Sequence, residues 1–159
     1  MSSSSRVTGA ALAIVPTTPG RVVFVRQQRG PYAGSLLLPG GKVEFGEGCE
    51  DAARREAEEE AGVQVKTLTP TGVYEIRSDD YHFLMFAFLA DGDAVRISAG
   101  GHHVDGVLDA GVDEVCPHPT VMRILNDAGV AHYEPEAVEA HLRRDAITMR
   151  AFLLDPATG

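Results

Sequence analysis

The chain contains no tryptophan, only two cysteines, and few aromatic residues of any kind, 6% of 159. Cys49 and Cys116 are too few to build the disulfide framework of a small secreted domain. A reduced, cytoplasmic chain is the simplest reading. Positive charge is also scarce: 14 Lys and Arg stand against 23 Asp and Glu, a formal charge of −9. That balance excludes the basic footprint that long nucleic acid or an anionic membrane requires. It leaves room for a small phosphorylated ligand held by local arginines or a bridging cation. No segment reaches the roughly 18 consecutive apolar residues of a spanning helix. The opening MSSSSRVTG lacks the apolar core of a signal peptide. Residues 1–8 read as a flexible tail, and 9–159 as one domain, long enough to bury a core without staples.

What is present falls into short strand-like runs and a few helices. Residues 10–15 are apolar and halted by Pro16, Pro19 and Gly20. With the β-branched and aromatic run 22–25 they predict a hairpin of strands. Residues 40–48 carry four glycines and read as a loop rather than a strand. Residues 49–61, CEDAARREAEEEA, are the clearest helix: they have no Gly, Pro or β-branched residue, and Gly62 is placed to end them. Cys49, Ala53, Ala57 and Ala61 form a narrow small-residue stripe that suits close approach to a sheet. Strands are expected at 63–68, 72–76 and 81–90, with the apolar YHFLMFAFLA in the centre of a sheet. Weaker strands are expected at 95–98 and 104–108. A short helix is expected over 119–128. A long C-terminal helix is expected over 136–154, because apolar residues recur there at three- and four-residue intervals. The order of strands, helix, strands and helices fits an α/β domain with helices covering a mixed sheet.

The chemistry concentrates between residues 39 and 63. Glu56, Glu59 and Glu60 stand at i, i+3 and i+4 and share a helix face. Three like charges there repel, and Arg54 and Arg55 relieve the repulsion only in part. On its own such a helix is a solvated surface. Here a glycine-rich loop, PGGKVEFGEG, runs into it and permits close backbone approach to a ligand. A hard divalent cation, Mg²⁺ or Mn²⁺, matches clustered carboxylate oxygens. Glu47 lies in the loop, where it folds back toward that face or supports Arg55. No Walker-type P-loop and no GxGxxG is present.

The stretch Gly41-x5-Glu47-x7-Arg55-Glu56-Ala57-x-Glu59-Glu60-x-Gly62-Val63 resembles the full signature of the Nudix hydrolases, with a small Ala57 at its hydrophobic position. That resemblance implies an α/β/α sandwich around a mixed sheet. It implies divalent-metal-dependent hydrolysis of the diphosphate linkage in a nucleoside diphosphate derivative. By matching positions, Glu56, Glu59 and Glu60 resemble the metal ligands, and Glu47 resembles the glutamate that supports or joins them. Arg55 resembles the arginine that orients a motif glutamate, so Glu59, Glu56 and Arg55 form the expected catalytic set. Gly40 and Gly41 resemble the loop glycines that shape the site. A degenerate, non-catalytic nucleotide-binding regulator is the alternative class; it would be expected to have lost helix glutamates, and all are present.

Substrate identity is less legible. Arg26, Arg29 and Arg77 are candidates for phosphate contact, and Tyr32 and Tyr74 for stacking on a base. Tyr81 lies where some dinucleoside polyphosphate hydrolases carry a tyrosine, which makes that activity an alternative to a nucleoside triphosphate or related small nucleotide. Candidates for a general base downstream are Asp91, Asp93, Asp105, Asp109, Asp113 and Glu114. The histidines His82, His102, His103 and His118 make no zinc spacing. The stripe on the expected C-terminal helix covers the sheet or packs against a second copy in a homodimer.

Overall fold

A computed structural model describes residues 6–91 and 106–154, together with the backbone of 96 and 97. The elements in chain order are β1 (Val7–Ile14), β2 (Pro16–Thr18), β3 (Arg21–Arg26), β4 (Leu36–Leu37), β5 (Gly40–Lys42), α1 (Cys49–Ala61) and β6 (Val63–Gln64). They continue with β7 (Leu68–Arg77), β8 (His82–Ala90), β9 (Arg96–Ile97), β10 (Val107–Gly111), α2 (Pro119–Asp127), α3 (Pro135–Arg144) and β11 (Thr148–Leu153).

The main sheet has the order β11-β7-β8-β1-β5. It is mixed: β1 runs parallel to β8 from Val7↔His82 to Ile14↔Leu89, and the remaining pairs are antiparallel. The apolar run of β8 occupies its centre, as its composition predicts. A strand covered on both faces needs apolar side chains on both. A second sheet is ordered β10-β3-β2, with β4 also on β3.

Period-2 alternation divides the core into two layers. On β1, Ala11 and Ala13 face one side with the α1 alanines, while Leu12 and Ile14 face the other with α2 and α3. Val23 and Val25 against Val22 and Phe24 repeat this division on β3. The result is the expected helix–sheet–helix arrangement. Helix α1 comes close to the sheet because Ala53, Ala57 and Ala61 present only methyl groups to it, each 2% exposed or less. Its start has no side-chain cap, but Glu50 and Asp51 lie in the first turn, where the helix dipole favours negative charge. Gly62 ends it at φ 66°, a left-handed conformation that glycine adopts without strain.

Several expectations are corrected. The long C-terminal helix does not form. Helix α3 stops at Arg144; Ala146 takes φ 56°, and Thr148–Leu153 pairs antiparallel with β7. The apolar spacing over 147–153 suits either period, and the open edge of β7 offers this segment a ladder of backbone partners. Strands β1 and β3 are not a hairpin: β2 forms the hairpin with β3, and β1 belongs to the other sheet. Part of the glycine loop is strand, since Gly40–Lys42 pairs with β1. The strand expected at 63–68 is only Val63–Gln64, and β7 runs through Pro70 by a register shift between Pro70 and Gly72. The first strand begins at Val7, inside the expected tail. The weak strands near 95 and 104 appear as β9 and β10; residues 98–105 lie outside the described residues. Among the described residues no helix is long and apolar enough to cross a membrane.

The tight α1–sheet contact has a measurable consequence. Ala57→Leu is expected to cost about 1–3 kcal/mol by overpacking. Urea unfolding of the variant should show a lowered midpoint; an unchanged midpoint would contradict the close approach.

Candidate active site

The site is built where β5 hands over to α1. Gly40 and Gly41 lie in β5 because nothing larger fits. A Cβ on Gly40 would sit 2.7 Å from the Ala11 carbonyl oxygen, and one on Gly41 would sit 2.6 Å from Glu56 Oε1. The loop then turns through Gly46 at φ 85° and brings Glu47 back over the first turns of α1.

Arg55 is the hub of this arrangement. Its Nε donates to Glu47 Oε2 at 2.8 Å, and Nη2 donates to Glu47 Oε1 at 3.1 Å, a bidentate pair. Nη1 donates to Glu56 Oε1 at 2.9 Å and to Glu59 Oε2 at 3.1 Å. The remaining Nη2 hydrogen reaches the Lys42 carbonyl at 3.1 Å. All five N–H groups of the guanidinium are thereby engaged. Arg54 faces elsewhere, with Glu50 and Asp51, and does not share this work. The bidentate bond to Arg55 holds the Glu47 carboxyl below the usual range. The carboxylates, Glu47 first, push the Arg55 guanidinium up. Burial raises Glu56 in spite of the Arg55 charge beside it.

Glu60 turns the other way. It is only 7% exposed, and both carboxylate oxygens are taken: Gly40 N–H donates to Oε1 at 2.8 Å and Gln27 Nε2 to Oε2 at 2.7 Å. Burial pushes its pKa up to about 7, against the opposing effect of those two donors. Glu56, Glu59 and Glu60 therefore lie along one side of α1, but only Glu56 and Glu59 meet Arg55. Among the described residues, no three His, Cys or carboxylate side chains already converge as a metal cage. The donor set nonetheless suits a hard cation. It is all carboxylate oxygen, and Glu56 Oε2 and Glu59 Oε1 accept no hydrogen bond from the described residues.

A cleft opens beside the cluster on the opposite face of β5. Its cavity volume is about 190 Å³. Leu12, Ile76, Phe83, Met85 and Ile124 make an apolar floor; Gln27, Arg29, Lys42 and Thr120 supply polar groups. Tyr32 is part of the wall, stacked on His118 at 3.9 Å, with its hydroxyl buried. Burial holds the His118 imidazole down at about 4, so it is neutral; its Nδ1 faces Thr120 Oγ1 at 2.8 Å.

The other candidates disperse. Arg29 lines the cleft. Arg26 donates to the Gly34 carbonyl and lines a separate cavity with His118, His141 and Arg144. Tyr81 does not line the cleft; it stacks on Phe83 at 5.0 Å and meets the edge of Tyr32 at 5.3 Å. Tyr74 is core, its hydroxyl donating to Asp127 Oδ2 at 2.9 Å. Arg77 is exposed at the end of β7. Asp109 and Glu114 engage Arg21 on the second sheet. Asp93, Asp105, His102 and His103 lie outside the described residues. Sequence reasoning missed Gln27, Lys42 and Thr120. Gln27 is 33 positions from Glu60, and no local pattern announces the contact.

The raised Glu60 pKa fixes the sign of a pH effect. The carboxyl binds a proton more readily in the fold, at about 7, than at its ordinary 4.5. Between those values the folded state holds more protons, so this group's contribution is favourable below 4.5 and is lost as pH rises through about 7. Metal-free Glu60→Gln protein should therefore lose less stability than wild type on going from pH 5 to pH 8. Parallel thermal-melt profiles for the two proteins would contradict this.

Comparison with known proteins agrees with the geometry. The NUDIX domain family model matches residues 7–124. The chain is 33% identical over 82 residues to an ADP-ribose pyrophosphatase of Methanocaldococcus jannaschii, a match covering 50% of this chain and 48% of that protein. It is 32% identical over 111 residues to a putative 8-oxo-dGTP diphosphatase of Bacillus subtilis, covering 69% of this chain and 67% of that protein. The chain spans about half the length of the Methanocaldococcus jannaschii and Bacillus subtilis ADP-ribose pyrophosphatases it matches. A MutT NUDIX hydrolase from Burkholderia pseudomallei superposes with a TM-score of 0.59 at 26% identity, covering 85% of this chain and 98% of that one. The family model extends over most of the described fold, including the glycine strand, the Arg55 cluster and the cleft; the chain belongs to the NUDIX domain family.

Proposed function

We propose that this chain is a divalent-metal-dependent pyrophosphohydrolase acting on a nucleoside diphosphate derivative, with a nucleoside triphosphate or related small nucleotide as substrate. The observation that carries the reading is adjacency. A mostly apolar cleft and a cluster of carboxylates meet along Gly40–Lys42. In this reading the base enters the cleft against Leu12, Met85 and Ile124, and the phosphates pass Arg29 and Lys42 toward α1. Similarity to the Bacillus subtilis protein supports the triphosphate class; the archaeal relative keeps ADP-ribose as a competitor with the same kind of linkage. The dinucleoside polyphosphate reading rests on Tyr81, which packs on Phe83 and Tyr32 but does not itself line the cleft.

Glu56, Glu59 and Glu60 would hold the cation, Mg²⁺ or Mn²⁺, with Glu47 in support through Arg55. Such an ion, when bound, lowers the pKa of a coordinated water and neutralises charge on phosphoryl oxygens. Arg55 fixes where the Glu56 and Glu59 carboxylates sit before any ligand arrives. Preorganised charge of this kind supplies much of the acceleration in phosphoryl transfer. Gly41 lets the backbone pass directly over Glu56, so a phosphate lying along β5 is brought to the carboxylates.

The test is product release from nucleoside triphosphates, ADP-ribose and dinucleoside polyphosphates with Mg²⁺, for wild type and Glu59→Gln. Turnover is expected to be highest on a triphosphate. Glu59→Gln should reduce kcat/KM by about 100-fold or more, with the melting temperature little changed. Full activity in that variant, or no hydrolysis of any member of the panel, would overturn the reading.

A further inference from the structure

We infer that Gln27 is a positioning residue that couples filling of the apolar cleft to cation binding at Glu60. The inference rests on the proposed role of Glu60 as a metal ligand. Glu60 has two protein donors, one on each carboxylate oxygen. Those donors differ in kind. Gly40 N–H belongs to β5, which is paired to β1 at Leu12↔Gly40 and packed too tightly to admit even a methyl group. It cannot withdraw from Oε1 without unpairing the strand. Gln27 holds Oε2 with a side-chain amide on rotatable bonds, and its backbone is separately anchored. Gln27 N–H donates to the Ser35 carbonyl at 3.4 Å, and its own carbonyl accepts from Gly34 N–H at 2.8 Å. The amide can therefore move while the chain beneath it stays in place.

The same residue lines the cleft. A ligand there meets the amide that occupies Glu60. Base edges and ribose hydroxyls both offer hydrogen-bond partners to a carboxamide. A ligand that turns the amide toward itself takes from Glu60 the one Nε2 hydrogen it holds, and leaves Oε2 without that donor in a buried place. An orphaned carboxylate oxygen there is costly, so its release favours capture of a cation. With the cleft empty, the amide keeps Glu60 satisfied without metal. The coupling is reciprocal: whatever factor the cleft ligand adds to metal affinity, metal adds to ligand affinity.

The test titrates Mg²⁺ calorimetrically into wild type, Gln27→Met and Gln27→Ala, each with and without a saturating purine nucleoside. The nucleoside fills the cleft but has no phosphates to chelate metal. For wild type, the nucleoside is expected to tighten Mg²⁺ binding by at least about fivefold. Both variants should bind Mg²⁺ more tightly than wild type with no nucleoside present, and the nucleoside should then add little. A merely structural role for Gln27 predicts the opposite sign. Weaker Mg²⁺ binding in variants that melt as wild type does, or equal tightening by nucleoside in all three proteins, overturns the coupling while leaving the hydrolase reading intact. Absence of Mg²⁺ binding in every arm overturns the cation site itself, and with it both the hydrolase reading and the coupling.

Discussion

One guanidinium organises the site. Glu47, Glu56 and Glu59 come within reach of one another only because Arg55 stands between them and spends every N–H it has on them and on the Lys42 carbonyl. Without it, like charges on successive turns of α1 would splay outward, and Glu47 would have no reason to fold back over the helix. A lysine could not substitute, since a point charge cannot serve three directions with fixed geometry. The hub also explains why the glycine strand must be glycine. Glu56 is drawn inward toward Arg55 and comes so close to β5 that a side chain at Gly41 would collide with its carboxylate.

The fold serves this hub by fixing both ends of it. Helix α1 is seated on the sheet by methyl-only contacts, so its register and distance from β1 are narrowly set. Strand β5 is seated by its pairing with the same β1. Arg55 and Gly41 are thus referred to one common strand. The cleft forms on the other side of β5, against α2, where the second core layer leaves a gap floored by Leu12, Met85 and Ile124. Residues beyond the family match contribute α3 and β11, which cover that second layer and extend the sheet past β7.

Much of this was legible in the sequence where the determinants are local. Helix α1 has the bounds its composition predicts, because Gly48 and Gly62 punctuate it and nothing between them resists helix. The centrality of β8 follows from an apolar run with no polar face. The spacing of Arg55, Glu56 and Glu59 places them together at consecutive turns. Legibility ends where partners are remote. Residues 147–153 satisfy helix and strand periods alike, and only the open edge of β7 decides between them. Glu60 was expected to stand with Glu56 and Glu59. Its burial against Gly40 and Gln27 depends on how β5 and the loop after β3 close over α1, which no spacing within the helix reveals. Arg26 and Arg29, three positions apart, enter different cavities because the loop turns between them.

The Arg55-held carboxylates, separated from the cleft by β5, are the proposed cation site. Manganese anomalous scattering from crystals grown with a non-hydrolysable nucleotide tests it most directly. The account predicts a peak within coordination distance, about 2.0–2.2 Å, of both the Glu56 and Glu59 carboxylates. An occupied cleft with no peak on that side of α1, or a peak held only by other residues, would contradict it.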